Sequence, residues 1–122
     1  VLLDLPFPKG ITAHNEGHWS GKNKAIKNLR LIAKMITLDA MARGQEAVPG
    51  EHVINYLFFV DNNAWRDRAN MVQMCKALID GVVDAGAIDG DHWQVSWIGR
   101  VEVEIRRGNP GVRLEILSKI PD

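Results

Sequence analysis

With 122 residues, 46% hydrophobic and 25% charged, the chain has the size and composition of one domain (1–122) with its own core, which excludes disordered and fibrous polymers. Fifteen basic and fifteen acidic residues cancel, excluding a uniformly basic binder, and the single cysteine, Cys75, excludes an internal disulfide. No apolar run approaches the ~18 residues of a membrane span, and Val1–Pro6 is too short and too acidic for a signal peptide, so no membrane partner and a cytoplasmic location are expected.

Leu2–Phe7 reads as a short strand stopped by Pro6 and Pro8, followed by a polar loop, Lys9–Gly21, with His14, Asn15, His18 and Trp19. His14 and His18 are four apart, but a loop containing Gly17 makes a poor zinc site. Ser20 is placed to cap a helix running to about Ala42, with Gly44 as its stop. Ile26, Leu29, Ala33, Ile36 and Ala40 form one buried stripe, and Lys24, Lys27, Arg30 and Lys34 a neighbouring basic one. Val48-Pro49-Gly50 is a turn, and His52–Val60 an apolar, central strand broken by Asp61-Asn62-Asn63.

The next helix is predicted from Ala69 or Asn70 to Ala85-Gly86, burying Met71, Cys75, Leu78, Val82 and Ala85. Trp93–Ile105 alternates with period two, placing Trp93, Val95, Trp97, Val101, Val103 and Ile105 on one face, with Gly99 as a bulge or close approach. Gly108-Asn109-Pro110-Gly111 turns the chain into a hairpin partner carrying Val112, Leu114 and Ile116. The order β-α-β-α-β-β predicts an α+β domain with helices packed on one mixed sheet.

Charge is unevenly placed. From Gly17 to Leu38 there are five cations (Lys22, Lys24, Lys27, Arg30, Lys34) and no acid; from Asp80 to Asp91 there are four acids and no base. A basic face beside an acidic cluster suits a metal-dependent nuclease, one part gripping phosphates and the other holding cations. Between them, Arg66-Asp67-Arg68 sits at a strand-to-helix junction, where carboxylate and guanidinium groups suit a divalent metal and a phosphate ester. Each feature also has a plain reading. Asp67 is a good helix N-cap, Lys76 and Asp80 have i,i+4 ion-pair spacing, and Asp91 is a loop acid beside Gly90.

Together these segments resemble the RusA-type Holliday-junction resolvases, small phage and bacterial endonucleases. The resemblance rests on Leu5-Pro6-Phe7-Pro8 with Asn15 and His18-Trp19, on Arg66-Asp67-Arg68-Ala69-Asn70 against the family's Arg-Asp-x-Asp-Asn, and on Lys76…Asp80-Gly81 followed by Asp89-Gly90-Asp91. It implies an Mg²⁺-dependent (or Mn²⁺-dependent) endonuclease that cuts branched DNA as a homodimer with paired symmetric nicks. In that reading Asp67, the position of Ala69, and Asp91 form the catalytic set, and Lys76 acts near the scissile phosphate. Asp67 and Asp91 hold metal, and Lys22, Lys24, Lys27, Arg30, Arg66, Arg68, Asn15 and His18 bind DNA. Ala69 replaces the family's second aspartate. Either an aspartate was changed there to disarm the enzyme, or this is a divergent member in which Asp89 supplies the ligand. A non-cleaving DNA-binding protein of the same fold is the alternative. Asp67 and Asp91 flank a predicted helix roughly 24 Å long, so they meet within one chain only if Gly86–Asp91 folds back along it.

Overall fold

The structure is a computed structural model describing residues 1–8, 19–64 and 66–119; among helical residues, the side chains of Trp19, Ser20 and Lys22 lie outside that description. Strand β1 (Leu2–Leu5) leads to helix α1 (Trp19–Ala42) and strand β2 (His52–Val60). Helices α2 (Arg68–Met74) and α3 (Lys76–Asp84) follow, then β3 (Ser96–Ile105) and β4 (Gly111–Ser118). This is the expected α+β class: helices packed on one mixed four-stranded sheet, ordered β1-β4-β2-β3. No helix among the described residues is long and apolar enough to cross a membrane.

β2 is the central strand, with no exposed residue and buried positions at His52, Ile54, Tyr56 and Phe58–Val60. It pairs antiparallel with β4 and parallel with β3, the parallel pairing being made possible by the α2–α3 crossover. The core lies between the helices and one sheet face, where Leu3, Ile54, Tyr56, Phe58, Val112, Leu114 and Ile116 meet Leu29, Ala33, Met71, Leu78 and Val82. The other face carries polar and charged pairs, including Arg113–Asp4 at 2.7 Å and Asn55–Glu115 at 3.0 Å. Arg106 covers Phe59 there, 3.6 Å above its ring.

Three expectations are corrected. First, β3 and β4 do not form a hairpin: β2 lies between them. Fully extended, residues 106–110 reach up to about 17 Å, enough for the roughly 10 Å between strands two places apart. The crossing over the end of β2 is held by Gly108 N–H on Asp61 Oδ1 (2.9 Å) and Arg106 N–H on the Val60 carbonyl (2.7 Å). This arrangement pairs both edges of the apolar strand. Second, the predicted single face of β3 is split. Ile54 pairs with Ile98 but Tyr56 with Val101, so β3 holds one extra residue there. The bulge shifts the phase of alternation. Val101 and Val103 pack on the core, whereas Trp97 lies opposite Val53 on the other face, under the Lys119 ammonium. Gly99 is the close approach expected, because a Cβ there would lie 2.1 Å from Asn55 Oδ1. Third, Ser20 falls inside α1 rather than before it.

Both main helices stop as expected. Gly44 and Gly86 have positive φ, and the bonds Gln45 N–H to Ala40 O and Ala87 N–H to Val82 O close the ends.

Candidate functional site

The predicted second helix is two helices. It starts at Arg68, one residue earlier than expected, because the Asp67 carboxylate caps it by accepting from Ala69 N–H at 2.9 Å. It breaks at Cys75 without proline or glycine. The Cys75 N–H bonds to the Val72 carbonyl at 3.0 Å, an i−3 partner, and the thiol takes the Met71 carbonyl at 3.5 Å. Cys75 is a core residue, and burial pushes its thiol up to about 12. A nucleophilic role is thereby closed to it.

The break starts a fresh helix at Lys76, and three charges meet there. The Lys76 ammonium bonds Asp80 Oδ1 at 2.9 Å and also Asp91 Oδ2. Asp91 arrives because the chain after α3 folds back. Val48 bridges Ile88, Val48 N–H bonds Ala87 O at 2.7 Å, and Asp89 accepts from Gly50 N–H at 2.8 Å. The condition set by the sequence, that Gly86–Asp91 return along the helix, is therefore met as far as Lys76. Burial disfavours the charged Lys76 amine, but its bonds to Asp91 and Asp80 outweigh this and raise its pKa above the ordinary lysine value.

Beside this triad lies a cleft of about 520 Å³, lined by Ile54, Tyr56, Val72, Ile79, Ile98 and Trp93 with Lys76 and Asp91 at its polar end. Burial raises the Tyr56 hydroxyl far above its usual range, so it remains neutral. Trp93 and Ile98 are 82% and 65% exposed. Sequence reasoning missed the cleft, because its walls come from β2, α2, α3, β3 and the segment before β3. The signal available was Trp93, two residues from Asp91, which the alternation placed on one face of the strand and which the structure leaves exposed ahead of β3.

The other proposed residues are distributed as follows. Asp67 is exposed at the far end of α2 from Lys76, about 10 Å along the axis for a helix of this length. Ala69, in the first turn of α2, is exposed. Arg66 braces its own turn, donating to the carbonyls of Asn62 (2.9 Å) and Ala64 (2.8 Å). Arg68 donates to the Val101 carbonyl of β3 at 3.0 Å, tying the start of α2 to the sheet. Arg30 is engaged by Asp84 through two bonds of 2.6 and 2.8 Å, which raise the guanidinium pKa and hold the carboxyl below its usual range. Lys24 and Lys27 are exposed on α1. Asn15, His18 and the side chain of Lys22 lie outside the described residues.

Among the described residues, no three His, Cys, Asp or Glu side chains converge to hold a metal ion. Asp67, Asp89 and Asp91 are three separate acids: a helix cap, a loop lock and one member of an ion-paired triad. As it stands, this donor set does not fit Mg²⁺, which is held by carboxylates in near-octahedral geometry. The Asp80 and Asp91 pair already shares the ammonium of Lys76. No family model matches the chain, and no curated protein matches it significantly.

Proposed function

We propose that the chain is a structure-selective DNA endonuclease for four-way junctions, of the RusA type, disarmed at Ala69. The observation that supports this most is the return of Asp91 to Lys76 at the start of α3. Two charges fifteen residues apart in the chain meet beside an open cleft, as the resemblance requires of a site built from them. In this reading Lys24 and Lys27 engage phosphate, Lys76 acts near the scissile phosphate, and Mg²⁺ belongs to the form with an aspartate at position 69. The two-fold symmetry of the junction and the need for two matched cuts suit a C2 homodimer.

The second reading, a junction-binding protein that does not cut, is favoured by the dispersed acids. One experiment separates the two: incubating a synthetic four-way junction and Mg²⁺ with this chain and with Ala69→Asp. Paired symmetric nicks by Ala69→Asp alone support the disarmed endonuclease. Binding without cleavage by either protein supports the non-cutting module. No salt-sensitive binding by either removes both.

A further inference from the structure

Two nearby tryptophans, Trp93 and Trp97, are treated differently by the fold. Trp97, on the outer sheet face, lies under the Lys119 ammonium, 4.1 Å from its ring centre. Trp93 is 82% exposed, and among the described residues no other ring and no cation packs on it. It stands instead at the rim of the cleft beside Lys76, together with Ile98, which is 65% exposed. Ile54 and Ile79, both buried, line the depth of that cleft. An indole and aliphatic side chains left open around a cavity of about 520 Å³ mark a site for a largely apolar ligand.

The polar end of the cleft narrows the choice. The Lys76 ammonium is shared by Asp80 and Asp91, so two carboxylates face one positive charge, and an anion inside the cleft is disfavoured. Asp91 gives Oδ2 to Lys76, and among the described residues its Oδ1 accepts no bond. A free carboxylate oxygen at the end of an apolar slot fits a flat ring that carries an N–H donor on its edge. Gln73, exposed on the same rim, offers an amide to a ring nitrogen or carbonyl. We propose that this cleft takes one unstacked nucleobase bearing an exocyclic amino group, with its ring on Trp93 and its amino group on Asp91. Among the DNA bases thymine alone lacks that group, and its ring N–H lies between two carbonyl oxygens that a carboxylate repels.

The inference rests on the DNA reading above and adds a base-binding subsite to it. A paired base cannot enter, because its amino group is engaged by its complement and its faces are stacked. Extruding it from a duplex carries a cost that a base already unpaired at a branch point or in a single strand does not carry. Preference for unpaired over duplex DNA therefore comes from the cleft, and not from the acids at or near position 69. The Lys76 side chain is 63% exposed, so it meets the backbone phosphate from outside the cleft while the base lies within.

Two-dimensional ¹⁵N–¹H spectra of the full chain test this through the indole N–H signals, that of Trp93 being the one lost in Trp93→Phe. The titrants are single-stranded dC, dA and dT oligonucleotides of about ten nucleotides, and free deoxycytidine and thymidine. The Trp93 signal is expected to move with dC and dA, and dT to bind about tenfold more weakly. Trp93→Ala is expected to weaken dC binding about ten- to a hundredfold with thermal unfolding unchanged, since Trp93 is exposed, and Trp93→Phe to weaken it far less. Asp91→Asn, which donates as well as accepts, is expected to level dC with dT. Oligonucleotide binding that leaves the Trp93 signal in place, or that Trp93→Ala does not weaken, overturns the proposal and keeps the DNA reading. Equal binding of dC and dT by the unchanged chain overturns the assignment to an amino-bearing base. A shift with deoxycytidine while no oligonucleotide or four-way junction binds keeps the base site and removes the DNA reading. No response to any nucleoside or DNA removes both. A shift with arginine amide alone reassigns the cleft to a cationic side chain of a protein partner.

Discussion

The starts of α2 and α3 carry acids of similar sequence character and opposite physical state. At the start of α2, Asp67 is an exposed cap serving one backbone N–H, with Ala69 beside it. At the start of α3, Asp91 and Asp80 converge on Lys76 and border a cleft. A carboxylate used as a cap remains available to water and ions, whereas two that share one ammonium are already engaged by it. The resemblance joins the two ends into one catalytic centre. The structure keeps them about one short helix apart.

The sharpest way to break this contrast is to place at position 69 the acid that the proposed function calls for. Ala69→Asp is expected to raise Mg²⁺-dependent junction cleavage by roughly three or more decades, measured in single-turnover nicking assays. Next in size is Gly81→Ala. The added Cβ would sit 2.3 Å from the Arg30 carbonyl oxygen and 2.7 Å from Ala33 Cβ, where α3 crosses α1. Equilibrium urea unfolding should show a loss of about 1–3 kcal/mol, with the α3 end disturbed and the Asp67 turn left in place.

Asp67→Ala tests the other end. Losing the cap should cost about 0.5–2 kcal/mol in the same unfolding measurement, whereas Asp67→Asn should recover most of it. Asn caps without a charge, so it separates the structural role of Asp67 from any metal-binding role. The smallest expected effect is that of Lys76→Met, within about 1 kcal/mol because the lysine is more than half exposed. Its sign with pH is definite. The folded-state pKa of Lys76 is raised, so its contribution is complete below the unfolded value of about 10.4 and is lost as pH rises through the folded one. Unfolding curves of the two proteins should converge above that range. A gap that persists at high pH would show that Lys76 stabilises by packing rather than by charge.

How much of this was legible in the sequence depends on the range of the interaction. Helix stops at Gly44 and Gly86, the buried stripe of α1, the apolar run of β2 and the i,i+4 pair of Lys76 with Asp80 all follow from neighbours within a few residues. Local sterics and periodicity decide these. The cap on Asp67 was likewise legible, as the plain alternative to a metal ligand.

Four features waited for the tertiary structure. The break at Cys75 has no proline or glycine to announce it, because the i−3 bond and the thiol contact follow from burial of that side chain. The split face of β3 follows from one extra residue opposite Asn55, which reverses the alternation that unbroken period-two counting assumes. The strand order follows from β2 having two edges to satisfy, a demand that no local pattern expresses. The engagement of Arg30 by Asp84, and of Asp91 by Lys76, follows from helices and a returning loop brought together across many residues. By itself, then, the sequence determined which segments form helices and strands and where charge is concentrated, because those are properties of short stretches of chain. Only the tertiary structure decided which charges neutralise one another, because that depends on which surfaces the core leaves side by side.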